Sequence, residues 1–430
     1  MGTTDRLRLL FCDHLSIARG KYMPASKIGD GSSRFCQGTF ALTYDKEMAP
    51  APGGTMLEGL PDMDAVYAGA DIRDGWEPNT KVVIADLHDS KGAPLGICGR
   101  GRLKQAVKDW QALGLNPKVG LELEAFAFQR NAEGKLVPYD TPGAYVYSTG
   151  RFADPLRFTD AIWNKASELG FRIDCITSEY DSPQFEFTLT YDEAVKAVDD
   201  IFLFRLLARE VALDHGIILT FMPKPFLNKG GSGLHVNFSF NDRDGKNVFG
   251  DSKPGEMTDL AKGCVAGLMH HHRGMAGLVA PTVNSYERLK PASLSGYWRN
   301  WGIDHRGVTT RLSAETGAKA RLEHRMGDAA ANPYTLVAAV LQAARLGVVN
   351  KYNLPPAETA DCIMNHDATD GTPDSLAEAL KELAADNSAP LVSAVGELLV
   401  ANHIGIKELE LERTAALEGD ALRDYYIYYV

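Results

Sequence analysis

The sequence predicts an α+β fold in two parts, and three observations carry that expectation. Residues 7–11 and 81–87 are short runs of apolar and β-branched residues, separated by a Gly- and Pro-dense stretch at 49–61; they read as strands joined by loops. From Leu103 onward, strand-like and helix-like runs alternate, and the strands carry a polar face. The last hundred residues are helical in pattern. At 430 residues the chain exceeds a single core, so we expect a small β-rich domain over 1–100 and a larger domain over 101–430.

Each element has its own signal. Leu103, Val107, Trp110 and Leu113 recur at helical spacing, and Gly114 offers a stop. No helix is evident before Arg102. A strand follows at 119–128, then a helix over 156–169 that ends at Gly170 and leads into a strand at 171–177. Residues 185–190 (FEFTLT) alternate as a strand does, and Asp192 is placed to cap a long helix reaching His215, followed by a strand at 217–222. Asn332 and Pro333 open a helix that runs to Asn350. Thr372 and Pro373 open another, with Leu376, Leu380 and Leu383 on one face, and one last helix covers 390–417.

Bulk properties narrow the function. A net charge of −11, with acids and bases mixed along the chain, disfavours a nucleic-acid binder. No segment has the layout of a signal peptide, and no apolar run approaches ~18 residues, so the expectation is a cytoplasmic protein that does not span a membrane. The six cysteines lack zinc or redox spacing and are expected to be reduced, mostly as small buried hydrophobes.

The chemistry is written in carboxylates on strands. Glu122 and Glu124 lie two apart in GLELEAFAF and therefore share a strand face. Such a pair is either a solvated acidic edge or a costly buried pair that needs a cation; oxygen-rich sets suit Mg²⁺ or Mn²⁺. Glu179 and Glu186 flank YDSPQF, with Glu186 inside an apolar alternating run. His235 follows a glycine-rich turn; alone it would read as a core histidine. Arg321, Glu323 and Arg325 alternate in ARLEHRMGD, so a strand sends all three to one face, an arrangement suited to metals and phosphates.

In this order, GLELEAF, the Glu179–Glu186 block with Gln184, TFMPKP, GSGLH, PTVNSYERL, RLEHR and AANPY resemble the glutamine synthetase family. The resemblance spans Gly120 to Tyr334 and is weak over the first hundred residues. It implies a small N-terminal β-grasp domain, and a catalytic domain whose curved antiparallel sheet forms an open funnel flanked by helices. Two or three Mg²⁺ or Mn²⁺ ions would sit in it, with ATP as co-substrate. By the same resemblance Glu124, Glu179 and Glu186 would hold the metal nearer a glutamate substrate, and Glu122, His235 and Glu323 the one between the ATP phosphates. Arg288 would bind the substrate α-carboxylate, and Gly231 would let the backbone approach it. Arg306, Arg311, Arg321 and Arg325 match arginines that contact phosphates or the substrate carboxylate. Tyr191 and Ser239 match nucleotide contacts, and Asn237 stands where the family has a second histidine. The implied assembly is a ring-shaped homo-oligomer such as a dodecamer, with sites shared between neighbours.

Two departures concern the acceptor. Gln37, in CQGTF, stands where the family places an aspartate that attracts ammonium; DGSS at Asp30–Ser33 lies too early to replace it. Leu294 falls where a flap carries the glutamate that closes the site and takes a proton, and Tyr297, Trp298 and Trp301 follow it. Losing both carboxylates removes what would attract and deprotonate ammonium, whereas an apolar, aromatic lining suits a larger amine. The expected activity is transfer of a γ-glutamyl group from an acyl phosphate to an alkylamine, polyamine, ethanolamine or aromatic amine. The alternatives are ammonia as acceptor, with Glu58, Asp62 or Asp64 supplying the carboxylate, and a non-catalytic structural or regulatory paralogue. His270–His272 are expected to pack or form an interface rather than bind metal.

Overall fold

A computed structural model describes residues 4–251, 253–361 and 370–430. The first part of the chain contributes β1 (Arg6–Cys12), β2 (Ala18–Pro24), β3 (Gly31–Cys36), β4 (Asp62–Tyr67), β5 (Arg73–Asp74), β6 (Thr80–Ile84) and β7 (Asp86–His88). These form a four-stranded sheet in the order β2-β1-β6-β5 and a three-stranded sheet β3-β4-β7. A separate apolar cluster, including Leu7, Leu9, Phe11, Met63 and Leu87, packs between them. The run at 81–87 is thus two strands in different sheets, not the single strand expected. Ala85 is the break, and its amide donates to Leu10 O at 2.8 Å, extending the first sheet's pairing before the chain turns away.

Helix α1 (Gly99–Gln111) begins three residues before Arg102, and then β8 (Asn116–Arg130) and β9 (Leu136–Pro138) follow. Next come α2 (Phe158–Glu168), β10 (Ile173–Ser178), β11 (Gln184–Glu193), α3 (Ala194–Asp214), β12 (Ile218–Thr220) and β13 (Leu234–Asn241). Asp192 does not cap α3: it lies in β11, where it pairs with Arg172 and Lys196. The cap position is Glu193, without a side-chain bond, and the Asp192 carboxylate is instead shared between Arg172 and Lys196, the latter an (i, i+4) partner.

The remaining elements are α4 (Asp259–His270), α5 (His272–Val279), α6 (Ser285–Arg288), β14 (Trp301–Ile303), β15 (Thr310–Leu312), β16 (Leu322–His324), α7 (Pro333–Asn350), α8 (Leu376–Ala384), α9 (Ala389–Val395), α10 (Glu397–Thr414) and α11 (Gly419–Tyr426). The helix expected over 390–417 is broken at Gly396, with a bend of 112° between the flanking segments. Gly396 adopts φ +128°, a value closed to most side chains, and a Cβ there would meet Arg102 at 2.7 Å.

The larger sheet is open and has nine strands, in the order β10-β11-β8-β13-β16-β15-β14, with β9 and β12 also pairing β8. One face is apolar: Val119, Leu121, Leu123, Phe185, Phe187, Val236 and Phe238 are buried against the helices. Burial of each large side chain stabilises the fold by roughly 1.5–3 kcal/mol. Helix α7 lies deepest, with 14 of its 18 residues buried. Asn332 caps it by accepting from the amides of Tyr334 and Thr335 at 3.0 Å each, and Pro333 occupies its first turn.

The three histidines straddle the α4–α5 junction. His270 stacks on Tyr352 at 4.0 Å, while His271 and His272 are buried, so they pack, as expected. Cys12, Cys98 and Cys264 are buried and reduced; Cys36 is exposed. Cys362 lies outside the described residues. Among the described residues no single helix is long and apolar enough to cross a membrane.

Candidate active site

The polar face of the sheet follows from strand parity. Strand β8 carries Lys118, Gly120, Glu122 and Glu124 on one side. Antiparallel register sets Glu186 of β11 opposite Glu124, and both Thr188 of β11 and His235 of β13 opposite Glu122. Asn237 lies opposite Gly120, and Ser239 opposite Lys118. Across β13, Asn237 faces Glu323 of β16, which in turn faces Arg311 of β15. Glu179 joins from the turn after β10, its amide donating to Gln184 O at 2.9 Å.

Two clusters result, each with donor atoms within 4.8 Å of one another: Glu124, Glu179 and Glu186, and Glu122, His235 and Glu323. They are the same two groups that the family resemblance implies for two metals. His235 lies between them, with Nδ1 3.2 Å from Glu122 Oε2 and 3.6 Å from Glu323 Oε1, and Nε2 3.9 Å from Glu124 Oε1.

Their electrostatics differ. Burial alone would raise the Glu122 carboxyl, but the hydrogen bond and charge of His235, the Asn237 amide and Arg325 outweigh it and bring it to about 2. Burial, joined by the charges of Glu122, Glu124 and Glu179, pushes Glu186 up to about 8; burial and Glu124 raise Glu179 as well. The all-carboxylate cluster therefore lacks positive charge, and a hard divalent cation is what its oxygen donors fit. A second layer holds the ligands in place. Gly233 N donates to Glu124 Oε2 at 2.8 Å, Gln184 Nε2 to the same oxygen at 3.3 Å, and Asn237 Nδ2 to Glu122 Oε1 at 2.9 Å. Such contacts orient metal ligands.

The arginines divide into four kinds. Arg325 and Arg311 both bond Glu323, Arg311 at 3.1 Å, and Arg311 also pairs with Asp304. Arg321 donates to Asn237 Oδ1 at 3.1 Å and pairs with Glu315. Arg288 is buried and donates to the carbonyls of Met326 at 2.8 Å and Arg325 at 3.0 Å, with no carboxylate partner among the described residues. A Cβ on Gly231 would lie 2.6 Å from Arg288 Cγ, so glycine is what lets that backbone lie against the arginine. Arg306 is exposed on the turn between β14 and β15 and is not drawn into these bonds.

Beside the clusters opens a cavity of about 350 Å³, lined by Tyr191, Asn237, Ser239 and Arg321, four residues expected to meet the nucleotide. Lys118, Asp174 and Thr188 line it too and were missed, although Lys118 and Thr188 share the strand parity of the recognised glutamates.

The residues expected to meet the acceptor are placed differently. Leu294 is about half exposed. Tyr297 packs over Gly371, and its hydroxyl donates to Asp374 Oδ1 at 3.1 Å. Trp298 meets the Tyr297 ring edge-on at 4.8 Å, and its buried indole N–H has no partner among the described residues. Gly296, at φ +83°, presses against the backbone of Arg325 and Met326, where a Cβ would come within 2.8 Å of Met326 N. This segment therefore adjoins the arginine end of the site. Gln37 is not gathered with the others within one chain: its amide donates to Asp62 O at 3.3 Å. Asp30 accepts from Gly69 N at 2.7 Å, and Glu58 from Gly53 N and Thr55 N at 3.0 and 3.1 Å.

An acid-rich, arginine-lined sheet face beside a cavity of this size suits metal-dependent phosphoryl transfer, and comparison with known proteins makes the class an ATP-dependent carbon–nitrogen ligase. Residues 96–425 match the glutamine synthetase catalytic domain, and this chain belongs to that family. A glutamine synthetase of Pyrococcus woesei is 30% identical over 390 residues, covering 88% of this chain and 84% of its own. A glutamate–isopropylamine ligase of a Pseudomonas species is 29% identical over 284 residues, 64% of this chain and 62% of that protein. A solved structure of GmaS without ligand is similar with a TM-score of 0.83 at 25% identity, covering 98% of this chain and 96% of that one.

Proposed function

We propose that this chain is a γ-glutamylamide synthetase that joins the side-chain carboxylate of glutamate to an amine larger than ammonia. The carrying observation is an unaltered donor side beside a changed acceptor side. Both carboxylate clusters are assembled, while Leu294, Tyr297 and Trp298 occupy the segment in which ammonium would need a carboxylate. The likeness to a glutamate–isopropylamine ligase and to GmaS supports the same reading.

In this reading Glu124, Glu179 and Glu186 hold one divalent cation, and Glu122, His235 and Glu323 another. The cations neutralise charge on the transferring phosphoryl group. Tyr191, Asn237, Ser239, Arg311 and Arg321 hold the nucleotide, Arg288 and the backbone at Gly231 hold the glutamate, and Arg306 and Arg325 balance charge on the phosphoryl oxygens and the substrate carboxylate. A glutamate carboxylate oxygen attacks the γ-phosphorus and ADP leaves. The amine nitrogen then attacks the acyl carbon, phosphate departs, and the amine releases a proton. Gln37, Leu294, Tyr297 and Trp298 contribute to the acceptor pocket. Residues 1–100 form the β-grasp domain and 101–430 the catalytic domain, in a cytoplasmic ring-shaped homo-oligomer with sites shared between neighbours.

The test is ADP release measured across ammonia, methylamine, isopropylamine, ethanolamine, putrescine and an aromatic amine. An organic amine with the highest kcat/KM is expected; ammonia as the best acceptor returns the chain to ordinary glutamine synthesis, and absence of metal-dependent ATP binding makes it a non-catalytic paralogue. The glutamine synthetases among its relatives favour the ammonia alternative. Against it, the Glu58 carboxylate is already committed to the amides of its own turn.

A further inference from the structure

Arginines without acids mark a second place in the molecule. Three arginines are buried among the described residues: Arg205, Arg288 and Arg325. Arg325 has Glu323 as its counter-ion. Arg288 bonds only backbone carbonyls, and it is the residue read as a carboxylate binder. Arg205 shows the same pattern. Its guanidinium bonds the hydroxyl and carbonyl of Ser16 and donates to Tyr429 O at 3.3 Å, and no carboxylate pairs with it among the described residues.

One helical turn further along α3, Arg209 faces the same way. It donates to the same Tyr429 carbonyl at 2.9 Å and to Tyr428 O at 2.5 Å, again without an acidic hydrogen-bond partner among the described residues. Two guanidiniums therefore converge on one carbonyl oxygen. The nearby acids make no hydrogen bond to either arginine: Glu210 pairs with Arg8 at 2.7 Å and Asp13 with Arg19 at 2.6 Å, and these two, with the buried Asp328, act on Arg205 and Arg209 only through space. A cavity of about 110 Å³ opens between these arginines, bounded by Ile17, Phe202, Leu206 and Tyr428. Burial, and next the charge of Arg205, pull Arg209 down to about 9, as expected for a cation set beside another without full compensation.

We propose that this cavity is a binding site for a small oxyanion, a carboxylate or a phosphate, held between the guanidiniums of Arg205 and Arg209. Planar guanidinium forks match both anions. The volume admits an anion of the size of phosphate or a short carboxylic acid, and nothing as large as a nucleotide. Neutral carbonyls satisfy some of the N–H groups, and Asp13, Asp328 and Glu210 offset the two like charges only in part; an anion between the guanidiniums completes the compensation. Bound there, it ties α3 to the turn at Ser16 and to the turn at Tyr428–Tyr429 that follows α11, so its binding stabilises the folded chain by linkage.

The experiment uses the full chain, with propionate and phosphate titrated at constant ionic strength against a chloride reference. Calorimetry and the thermal unfolding midpoint are read for the wild type and for Arg209→Gln. Because the catalytic site also accepts carboxylates and phosphate, the decisive quantity is the difference between the two proteins. The wild type is expected to show an additional saturable event that weakens at least ~10-fold in Arg209→Gln, with amine-ligase activity unchanged. Tighter binding of propionate than of phosphate identifies a carboxylate site, and the reverse a phosphate site. Wild-type crystals soaked in selenate locate the anion independently of any variant, by an anomalous peak between the two guanidiniums. Identical titrations of the two proteins, or selenate found elsewhere but not in this cavity, overturn the proposal.

Discussion

Glu122, Glu124 and Glu186 occupy fixed rungs of a ladder in which each strand's register is set by its neighbours, whereas Leu294, Tyr297 and Trp298 belong to a segment with no strand of its own. That segment is held by scattered contacts outside any ladder, among them Gly296 on the Arg325–Met326 backbone, Tyr297 on Gly371, Asp374 and His272, and Trp298 on Gly371 and Thr309. The difference separates two kinds of constraint. Moving a sheet ligand requires slipping a strand, which would turn its whole apolar face outward. Changing the other segment requires only a new side chain on a loop, the kind of position where specificity varies.

Glu122→Gln tests the rigid side most severely. The substitution keeps the shape and removes the charge, so kcat for ADP release should fall about 10³-fold, while circular dichroism and the unfolding midpoint stay close to wild type; an active variant would break the comparison. Chelation comes next. Removing divalent ions leaves three carboxylates facing one another at Glu124, Glu179 and Glu186, and readdition of Mn²⁺ at 100 times its Kd should stabilise the fold by about 2.7 kcal/mol, read by thermal unfolding.

On the adaptable side, Leu294→Glu should raise kcat/KM for ammonia and lower it for isopropylamine, shifting their ratio about 10- to 100-fold. An unchanged ratio would mean that this segment does not choose the acceptor. An effect confined to acid pH lies in the helical layer. His403 is buried and donates from Nε2 to Gly277 O at 2.8 Å, and burial, then Lys407, brings it from 6.5 to about 3. Its folded pKa lies below its unfolded value, so its contribution is whole above pH 6.5 and is lost as pH falls toward 3. The slope is about 1.4 kcal/mol per pH unit for one proton. His403→Gln should flatten the acid limb of a denaturation series by that share.

Much of the rigid side was legible because strand parity is a local property. Glu122 with Glu124, and Arg321 with Glu323 and Arg325, are readable from alternation alone. Lys118 and Thr188 obey the same parity yet were overlooked, since a lone lysine or threonine on a strand looks like an ordinary solvated residue until a partner strand is known. Asp192 looked like a helix cap and proved to be a strand residue with an ion pair, because cap and (i, i+4) partner draw on the same residue types. The break at Gly396 was missed because a single glycine in an apolar helical pattern is tolerated as often as it is decisive.

By itself the sequence determined the alternation that sends acids to one face and apolar groups to the other, the caps of α7, and the residue types suited to divalent ions. Only the tertiary structure decided which strands are neighbours, and with them that His235 stands opposite Glu122, that Glu323 faces both Asn237 and Arg311, and that two arginines of α3 share one carbonyl. Alternation arises within one strand from the geometry of the peptide chain. Register and convergence arise from long-range packing, in which residues hundreds of positions apart compete for the same few ångströms.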